Sequence, residues 1–333
     1  MDLTKFNTTK NRFDIINGEE AKLIDNINDS LMWGAMQHLR MAGFKWVEVP
    51  TLTKITGACE NVDTLYHVNH FGQEAYLAQT GQLYLEAKIP LHEKLWTIIV
   101  SSRAEDRPDS RHLNQFQLIE LEHKGALKDI LMNIEGTVKA MIKQALLEHK
   151  DALESLGRLD ELKRWVKEPF ARITYTQAVE LLKGTEHEIE WGDDLSSAQE
   201  QYLVKKKGNK PLFISHFPKA IKFFNMKGNL KDDKVVNSAD LIMPYSGEST
   251  GAAERENDYE KLVERLKQSN MFRMLSKRGK TVEDFRDYLE MVRKNPILHS
   301  GCGIGFSRIS QSVLGTSDIR TTTNYPIQCD VLY

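Results

Sequence analysis

Two strand-like segments flank a highly charged loop, and this arrangement constrains the fold more than any other feature of the chain. Residues 96–100 and 116–122 read as strands, and residues 106–112 between them carry two arginines, two aspartates and a histidine. A loop with this much charge cannot be buried, and strands joined by hairpins and long loops are typical of antiparallel sheets. With helices inserted between further strands, the sequence predicts an α+β fold on an antiparallel β-sheet flanked by helices.

Hydrophobic periodicity predicts the other elements. Apolar residues recur at three- and four-residue steps over 19–43, which predicts a helix. The segment 185–210 is charged and shows no clear periodicity, and a glycine-rich strand leads into a helix over 298–314. The remaining predicted strands are 44–52, 64–71, 76–80, 212–216, 221–226 and 235–243, and the remaining predicted helical segments are 83–95, 127–150, 151–167 and 256–295.

Composition restricts the class of protein. The 333 residues, 41% of them apolar and with a net charge of −2, suit one large globular domain or two small ones without a broadly basic surface. Three widely spaced cysteines fit neither a disulfide framework nor a zinc site. Neither an apolar signal core nor a run of about 18 apolar residues is present. We therefore expect a cytoplasmic protein without a membrane span.

The charged loop and its flanks offer the side chains of a nucleotide site. Arg103 and Arg111 can grip phosphates, His112 adds a further polar group, and the ring of Phe116 can stack on a base. Glu105 lies two residues after Arg103, so both share one face if the segment is a strand. A structural ion pair is the alternative explanation for these two residues.

The glycines Gly301, Gly303 and Gly305 alternate along the predicted strand near the end of the chain. In a strand this spacing leaves one face without side chains, so a flat ligand can lie directly on the backbone. The run is not a dinucleotide fingerprint, because neither the third glycine nor the later acidic residue stands at the required position.

Two carboxylates bracket a predicted turn at 244–247. Asp240 and Glu248 can hold Mg²⁺ against phosphates, although a solvated turn is an equally simple explanation. Gly251 permits close approach of the backbone to a ligand. Arg255 can bind a carboxylate through two parallel hydrogen bonds.

Together these segments resemble the catalytic core of a class II aminoacyl-tRNA synthetase, most closely the archaeal-type asparaginyl and aspartyl branch. The resemblance covers about residues 19–326. Residues 44–50 are similar to the end of motif 1, residues 102–122 to motif 2 and residues 301–308 to motif 3. Residues 78–86 resemble the strand and helix that bind the amino acid in this family.

The resemblance implies ATP and Mg²⁺ as cofactors and a role for each candidate residue. Arg103 and Arg308 are the expected catalytic residues, with Arg103 on the α-phosphate and Arg308 against one face of adenine. The expected ATP-binding residues are Arg103, Glu105, Arg111 and His112 (γ-phosphate), Leu113, Phe116 (the other face of adenine), Gly305 and Arg308. The expected amino-acid-binding residues are Glu60 and Gln82 (α-amino group), Gly251, and Arg255 (far end of the substrate), and the expected metal ligands are Asp240 and Glu248.

Three features resemble the asparaginyl side of the branch. Aspartyl enzymes carry a lysine three residues after the equivalent of Gln82, where this chain has Leu85. The spacing within residues 240–256 and the segment 217–222 point the same way.

The position of the motifs sets the expected function. Synthetases of this branch carry an anticodon-binding OB-fold before the core, whereas only about 18 residues precede the motif 1 helix here. We therefore expect residues 1–333 to form a single catalytic domain with an N-terminal extension at 1–18. Such a core resembles the archaeal asparagine synthetases related to asparaginyl-tRNA synthetase. The resemblance then implies a homodimeric, AMP-forming ligase that makes asparagine from aspartate and ammonia, or another amine, without recognising a tRNA anticodon.

Some positions depart from the family pattern and leave alternatives open. The family has acidic residues where this chain has Ser307 and Gln115, small residues at 61–63, and an arginine at Ile327. One alternative is an adenylating enzyme of the same fold that uses a different amino acid or acceptor. A second is a catalytically degenerate relative with a binding or sensing role, and conventional tRNA charging is the remaining one.

Overall fold

The computed structural model describes residue 13 and residues 16–54 and 62–333. The helices are α1 Glu19–Met41, α2 Gln82–Glu86, α3 Leu127–Glu148, α4 Lys150–Ser155, α5 Leu159–Lys167, α6 Tyr175–Leu182, α7 Ser197–Lys206, α8 Tyr259–Gln268, α9 Asn270–Lys277, α10 Arg286–Lys294 and α11 Phe306–Leu314. The strands are β1 Lys45–Trp46, β2 Leu52–Thr53, β3 His67–His70, β4 Gln73–Leu77, β5 Lys94–Ser102, β6 Gln115–Lys124, β7 Ala171–Thr174, β8 Leu212–Ser215, β9 Ser238–Met243, β10 Gly247–Glu254 and β11 His299–Gly305.

Eight of these strands form one sheet in the order β1-β5-β6-β11-β10-β9-β8-β7. The two edge pairs, β1 with β5 and β7 with β8, are parallel, and every other neighbouring pair is antiparallel. The α+β fold with a mostly antiparallel sheet is thereby confirmed. Strands β2, β4 and β3 form a separate small sheet.

Helices α1, α3 and α11 cover one face of the large sheet, and the other face is open over the central strands, where the site lies. Buried apolar residues of α1, α3 and α11 pack with alternate residues of the central strands, such as Leu121, Cys302 and Ala252. Because strand side chains alternate between faces, residues one position away, such as Glu120 and Gly303, point to the opposite face. Glu120 and Glu122 of β6 and Asp240 of β9 therefore face away from the core.

A second apolar cluster surrounds the small sheet. Helices α8, α9 and α10 contribute Leu262, Leu275 and Leu289, which pack with Tyr76 of β4 and Phe224. This cluster, which we call the helical cap, comprises residues 259–294 and lies beside the open face of the large sheet through Tyr288.

No helix among the described residues combines the length and the apolar character needed to cross a membrane.

Some predicted elements differ from the structure for identifiable reasons. The predicted strand at 221–226 is absent because Lys222 turns inward to pair with Asp240, and only Met226 forms an isolated bridge. The predicted helix 83–95 ends at Glu86, shortly before Pro90, which has no N–H to continue a helix. Helix α7 lies in the segment without clear periodicity, and its signal is the capping box of Ser196 and Gln199 at residues 196–199.

Candidate active site

A row of four residues crosses the open face of the sheet. The strand register pairs Asp240 of β9 with Gly251 of β10, Gly251 with Gly303 of β11, and Gly303 with Glu120 of β6. Paired residues share a face, so the two glycines form a bare backbone floor between two carboxylates. We call this row the glycine floor. Of the three alternating glycines, Gly303 lies in this floor, whereas Gly301 is covered by Glu122 and Arg255. That a flat ligand lies on the floor remains a prediction.

The glycine floor lies in a cavity of about 590 Å³. Of the predicted site residues, the cavity is lined by Gln82, Arg103, Glu105, Arg111, His112, Leu113, Phe116, Asp240, Glu248, Gly251, Arg255, Gly305 and Arg308. The roles assigned to them remain predictions. Glu60 lies outside the described residues, as does Asn61.

One end of the cavity contains a buried ion pair. Arg255 Nε donates to Glu122 Oε1 at 3.2 Å, and Arg255 Nη2 donates to Glu122 Oε2 at 3.1 Å. These two parallel hydrogen bonds fix the plane of the guanidinium group. A β-carbon added at Gly301 would lie 1.8 Å from Glu122 Oε2 and 2.6 Å from Arg255 Nη2. The pair therefore lies directly on the backbone, and only glycine at 301 leaves room for it.

A second carboxylate, Glu86, lies beside this pair. Glu86 accepts hydrogen bonds from Gln82 Nε2 at 2.5 Å, from the Tyr288 hydroxyl at 3.2 Å, and it contacts His299 Nε2 at 3.2 Å. The net pKa of His299 is raised. Burial alone would lower it, but the hydrogen bond between His299 and Glu86 and the negative charge of Glu122 outweigh burial. A raised pKa favours the protonated ring, whose charge offsets part of the negative charge of Glu86 and Glu122.

Sequence reasoning named Arg255 and Gln82 in this part of the site but missed Glu122, Tyr288 and His299. Glu122 follows Glu120 at the two-residue spacing of a strand, so its position on the same face was available as a signal. Tyr288 and His299 carry no such signal, because only the packing of the helical cap and β11 brings them to Glu86.

Arginines gather at the opposite end of the cavity. Arg103 lies with its guanidinium carbon 5.4 Å from the centre of the Phe116 ring. Its Nε is buried and has no hydrogen-bond partner among the described residues. Strand β5 ends at Ser102, so Arg103 and Glu105 do not share a strand face, and the loop alone brings both to the cavity. A buried, unpartnered donor is the feature expected where a phosphate oxygen binds.

The guanidinium group of Arg308 is held by backbone oxygens. Nη2 donates to the carbonyl of Arg111 at 2.7 Å, and Nη1 donates to the carbonyl of Ser246. Burial and the nearby charge of Arg111 lower the pKa of Arg308. Arg308 therefore connects the charged loop to the turn at 244–247.

Three carboxylates and one lysine face each other beside the glycine floor. Burial raises the pKa of Asp240 to about 7, although Lys222 Nζ lies only 2.6 Å from its Oδ2. Burial and the charge of Glu248 raise the pKa of Glu200 to about 8. Glu200 Oε2 also accepts a hydrogen bond from the Glu248 N–H at 3.1 Å. Sequence reasoning missed Glu200, which α7 carries into the cavity.

This carboxylate cluster has the donor chemistry for Mg²⁺. A β-carbon at Gly251 would lie 3.7 Å from both Asp240 Oδ1 and Glu248 Oε1, so the two oxygens converge on one point of the floor. A hard cation such as Mg²⁺ prefers oxygen ligands of this kind. Among the residues described, no group of three or more His, Cys, Asp or Glu side chains is arranged to hold a metal unaided. The two carboxylates therefore suit a cation that is also bound by phosphate.

Comparison with known proteins identifies the family. Residues 5–328 match the class II tRNA synthetases (D, K and N). The chain belongs to this family. Its expected resemblance to asparaginyl and aspartyl catalytic cores is confirmed.

The most similar relatives include two archaeal asparagine–tRNA ligases. Those of Pyrococcus abyssi and Thermococcus kodakarensis are both 35% identical over 314 residues, which is 93% of this chain and 69% and 70% of the two relatives. The asparaginyl-tRNA synthetase of Pyrococcus horikoshii in complex with asparaginyl-adenylate is 34% identical, with a TM-score of 0.86 over 97% of this chain and 72% of that one. The Entamoeba histolytica asparaginyl-tRNA synthetase in complex with asparaginyl-adenylate is 25% identical, with a TM-score of 0.83 over 97% and 71%.

These relatives overturn part of the sequence-based expectation. Asparagine formation from aspartate and ammonia without tRNA was expected, and that expectation is wrong, since the relatives are ligases named for asparagine and tRNA. The same finding corrects the expected partners, which were aspartate, an ammonia-like acceptor and no tRNA anticodon. The expectation failed because it rested on a short N-terminal segment rather than on the site. An ATP-dependent ligase remains supported, and the homodimer stays a prediction.

Proposed function

We propose that this protein activates asparagine with ATP and transfers the asparaginyl group to tRNA. The main support for this proposal is the arrangement at one end of the cavity, where Arg255 and Glu122 lie side by side and Glu86 lies behind them. The names of the relatives support the same substrates.

The charges at this end favour a carboxamide over a carboxylate. The oxygen of a carboxamide accepts from a guanidinium group, and its NH₂ donates to a carboxylate. Asparagine thus matches Arg255 and Glu122 together. The second carboxylate of aspartate would lie near Glu86, Glu120 and Glu122, and Leu85 adds no cation against it. The desolvation and repulsion of that added charge make aspartate the weaker substrate.

Activation joins asparagine to the α-phosphate of ATP. An oxygen of the asparagine α-carboxylate attacks the α-phosphorus, the bond from that phosphorus to the bridging oxygen breaks, and pyrophosphate leaves. Arg103, whose buried Nε lacks a partner among the described residues, donates to an α-phosphate oxygen as charge develops there. Arg111 and His112 bind the departing phosphates, and Phe116 stacks on adenine.

Asp240 and Glu248 are the residues that would hold Mg²⁺. When bound there, Mg²⁺ supplies positive charge that offsets the charge of the triphosphate. Lys222 neutralises Asp240 in part, and Glu200 fixes the backbone of Glu248. The carboxylates therefore keep their orientation towards the floor before the nucleotide arrives.

Transfer completes the reaction. A hydroxyl of tRNA attacks the carbonyl carbon of asparaginyl adenylate, the bond from that carbon to the phosphate oxygen breaks, and AMP leaves. The hydroxyl proton passes to the phosphate of AMP or to solvent. The protein holds the adenylate in place and needs no covalent intermediate of its own.

Two assays test this proposal. Exchange of labelled pyrophosphate into ATP should depend on asparagine and be at least tenfold weaker with aspartate, because the amino-acid end repels a second carboxylate. Labelled asparagine should then appear on tRNA. Exchange that follows aspartate, or exchange with asparagine but no labelled tRNA, would contradict the corresponding half of the proposal.

A further inference from the structure

The backbone of the charged loop is held from outside by residues of the C-terminal segment. Gln328 Nε2 donates to the carbonyl of Asp109 at 2.6 Å and to that of His112 at 2.6 Å. Between them, the carbonyl of Ser110 accepts from the Ile319 N–H at 2.8 Å, and the carbonyl of Arg111 accepts from Arg308 Nη2 at 2.7 Å. Four consecutive carbonyls are thus bound. We call Arg308, Ile319 and Gln328 the carbonyl clamp.

Within the loop, Asp109 binds the N–H groups of Arg111 and His112. Asp109 Oδ1 accepts from the N–H of Arg111 and from that of His112, both at 2.7 Å, and Asp109 Oδ2 lies 2.7 Å from His112 Nδ1. Burial raises the pKa of Asp109, but these hydrogen bonds outweigh it and lower that pKa. The carboxylate is therefore ionised and orients the imidazole ring. All four carbonyls of the segment 109–112 and the N–H groups of Arg111 and His112 are thus bound without any ligand.

Gln328 is itself fixed in place. Its backbone exchanges two hydrogen bonds with Val331, at 3.2 and 3.1 Å, and the preceding carbonyl of Ile327 accepts from the Asn114 N–H at 2.8 Å. The side chain is buried. A primary amide carries two N–H groups, and here each one binds a different carbonyl. Alanine supplies neither donor, and glutamate would place acceptor oxygens against two carbonyl oxygens.

We propose that Gln328 is a positioning residue for the triphosphate end of the site. It holds the loop so that Arg111 and His112 face the cavity before ATP binds, which lowers the ordering cost of binding. This inference rests on the proposed function, which assigns the outer phosphates of ATP to these two side chains. It predicts that loss of the Gln328 amide weakens binding of ATP and leaves binding of AMP unchanged, because AMP lacks those phosphates.

The test compares Gln328→Ala and Gln328→Glu with the wild type and with the control Cys329→Ser, which changes the exposed neighbouring side chain. Calorimetry measures binding of ATP and of AMP, and hydrogen exchange measures the amides of residues 109–112 in the ligand-free protein. We expect both Gln328 variants to bind ATP about tenfold more weakly and AMP equally, with faster exchange in the loop. The control should match the wild type.

Several outcomes would overturn the inference: unchanged ATP binding, equal weakening of ATP and AMP, or unchanged exchange in the loop. If both variants fail to fold, Gln328→Asn, whose shorter amide reaches only one carbonyl, is measured with the same readouts. These experiments need no turnover. A wild type that binds ATP but shows no asparagine-dependent exchange would contradict the proposed function and still leave the clamp open to this test.

Discussion

Gly301 supports the Arg255–Glu122 ion pair by having no side chain. In Gly301→Ala the new β-carbon would lie 1.8 Å from Glu122 Oε2, so the pair must move apart. We expect the KM for asparagine in pyrophosphate exchange to rise at least tenfold and the KM for ATP to stay within about twofold. The reason is that the displaced groups belong to the amino-acid end alone.

Gly228→Ala is the matched control for this substitution, because a β-carbon there meets nothing within 4 Å and the backbone is not left-handed. Its kinetics should equal those of the wild type. If Gly301→Ala binds asparagine normally while thermal unfolding shows it folded, the proposed amino-acid end is misplaced.

Glu200 should make stability fall as pH rises. Its pKa is about 8 in the folded chain against an ordinary value of 4.5. Between these values the unfolded chain has released the proton and the folded chain has kept it, so unfolding releases a proton and becomes easier at higher pH. The destabilisation is absent below about pH 4.5 and complete above about pH 8, and it is on the order of a few kcal/mol.

Glu200→Gln removes this titration and retains an acceptor for the Glu248 N–H. Urea unfolding at pH 5.5 and pH 8.5 should show a smaller decline for Glu200→Gln than for the wild type. Glu180→Gln, at an exposed position of α6, should decline as the wild type does. Parallel declines in all three proteins would remove Glu200 as the cause.

At the scale of elements, Arg158 joins helix α5 to the end of α11 and to the turn at 244–247. Its Nε and Nη2 donate to the carbonyls of Val313 and Ser312 at 3.2 and 2.9 Å, which are among the carbonyls that a helix end leaves unpaired. Its guanidinium carbon lies 4.4 Å from the centre of the Tyr245 ring. A single buried side chain thus connects three elements around Arg308.

Arg158 also forms an ion pair with Glu161. Arg158→Ala should lower the free energy of unfolding by about 2–4 kcal/mol, because it leaves two buried carbonyls unpaired and removes the cation beside Glu161. Arg164→Ala, on an exposed position one turn and a half further along α5, should cost less than about 1 kcal/mol. Urea unfolding measures both. An equal and small loss in the two variants would show that Arg158 makes no net contribution.

The sequence predicted elements well where one local rule acts alone. Helices α1 and α3 and strands β5, β6 and β11 have strong periodicity, and all were expected. Residues 221–226 have the apolar content of a strand, but a long-range ion pair from Lys222 to Asp240 decides their path. Such a pairing spans 18 residues and leaves no periodic signal. Local pattern therefore fails where a buried charge sets the backbone.

At the scale of the whole molecule, the helical cap has an apolar cluster of its own. We expect it to open at lower free energy than the large sheet, since its helices pack around the small sheet. Leu266→Ala should speed hydrogen exchange chiefly within 259–294. Ile134→Ala, in α3 beneath the large sheet, should instead lower global stability by about 2–5 kcal/mol.

Hydrogen exchange followed by mass spectrometry distinguishes these patterns. The two truncations are comparable because the side chains of Leu266 and Ile134 are both fully buried. If the two variants speed exchange equally along the whole described chain, the cap and the sheet unfold as one unit. In that case Tyr288 would remain on Glu86 until global unfolding.

The candidate site was partly predictable from the sequence. Residues that bear recognisable chemistry at fixed spacing, such as Arg103, Arg111 and Arg308, were named and line one cavity. Gln328, Glu200 and Tyr288 were not, because their contribution depends on contacts made by distant segments. The substrate and acceptor were misjudged for another reason: they were inferred from what precedes the motifs. The charges around Arg255 bear directly on the amino acid, and the names of the relatives bear on the acceptor.

The glycine floor has a consequence for how this kind of protein can diversify. A side chain added at Gly251 or Gly303 would fit beside its neighbours but take up space in the cavity above the floor, where it would act on any ligand bound there. Variation that preserves this space is confined to the groups at its margins, such as Glu86 and Arg255 on one side. The proposed adenylating chemistry can therefore be inherited intact while descendants exchange one amino acid for another at the margin.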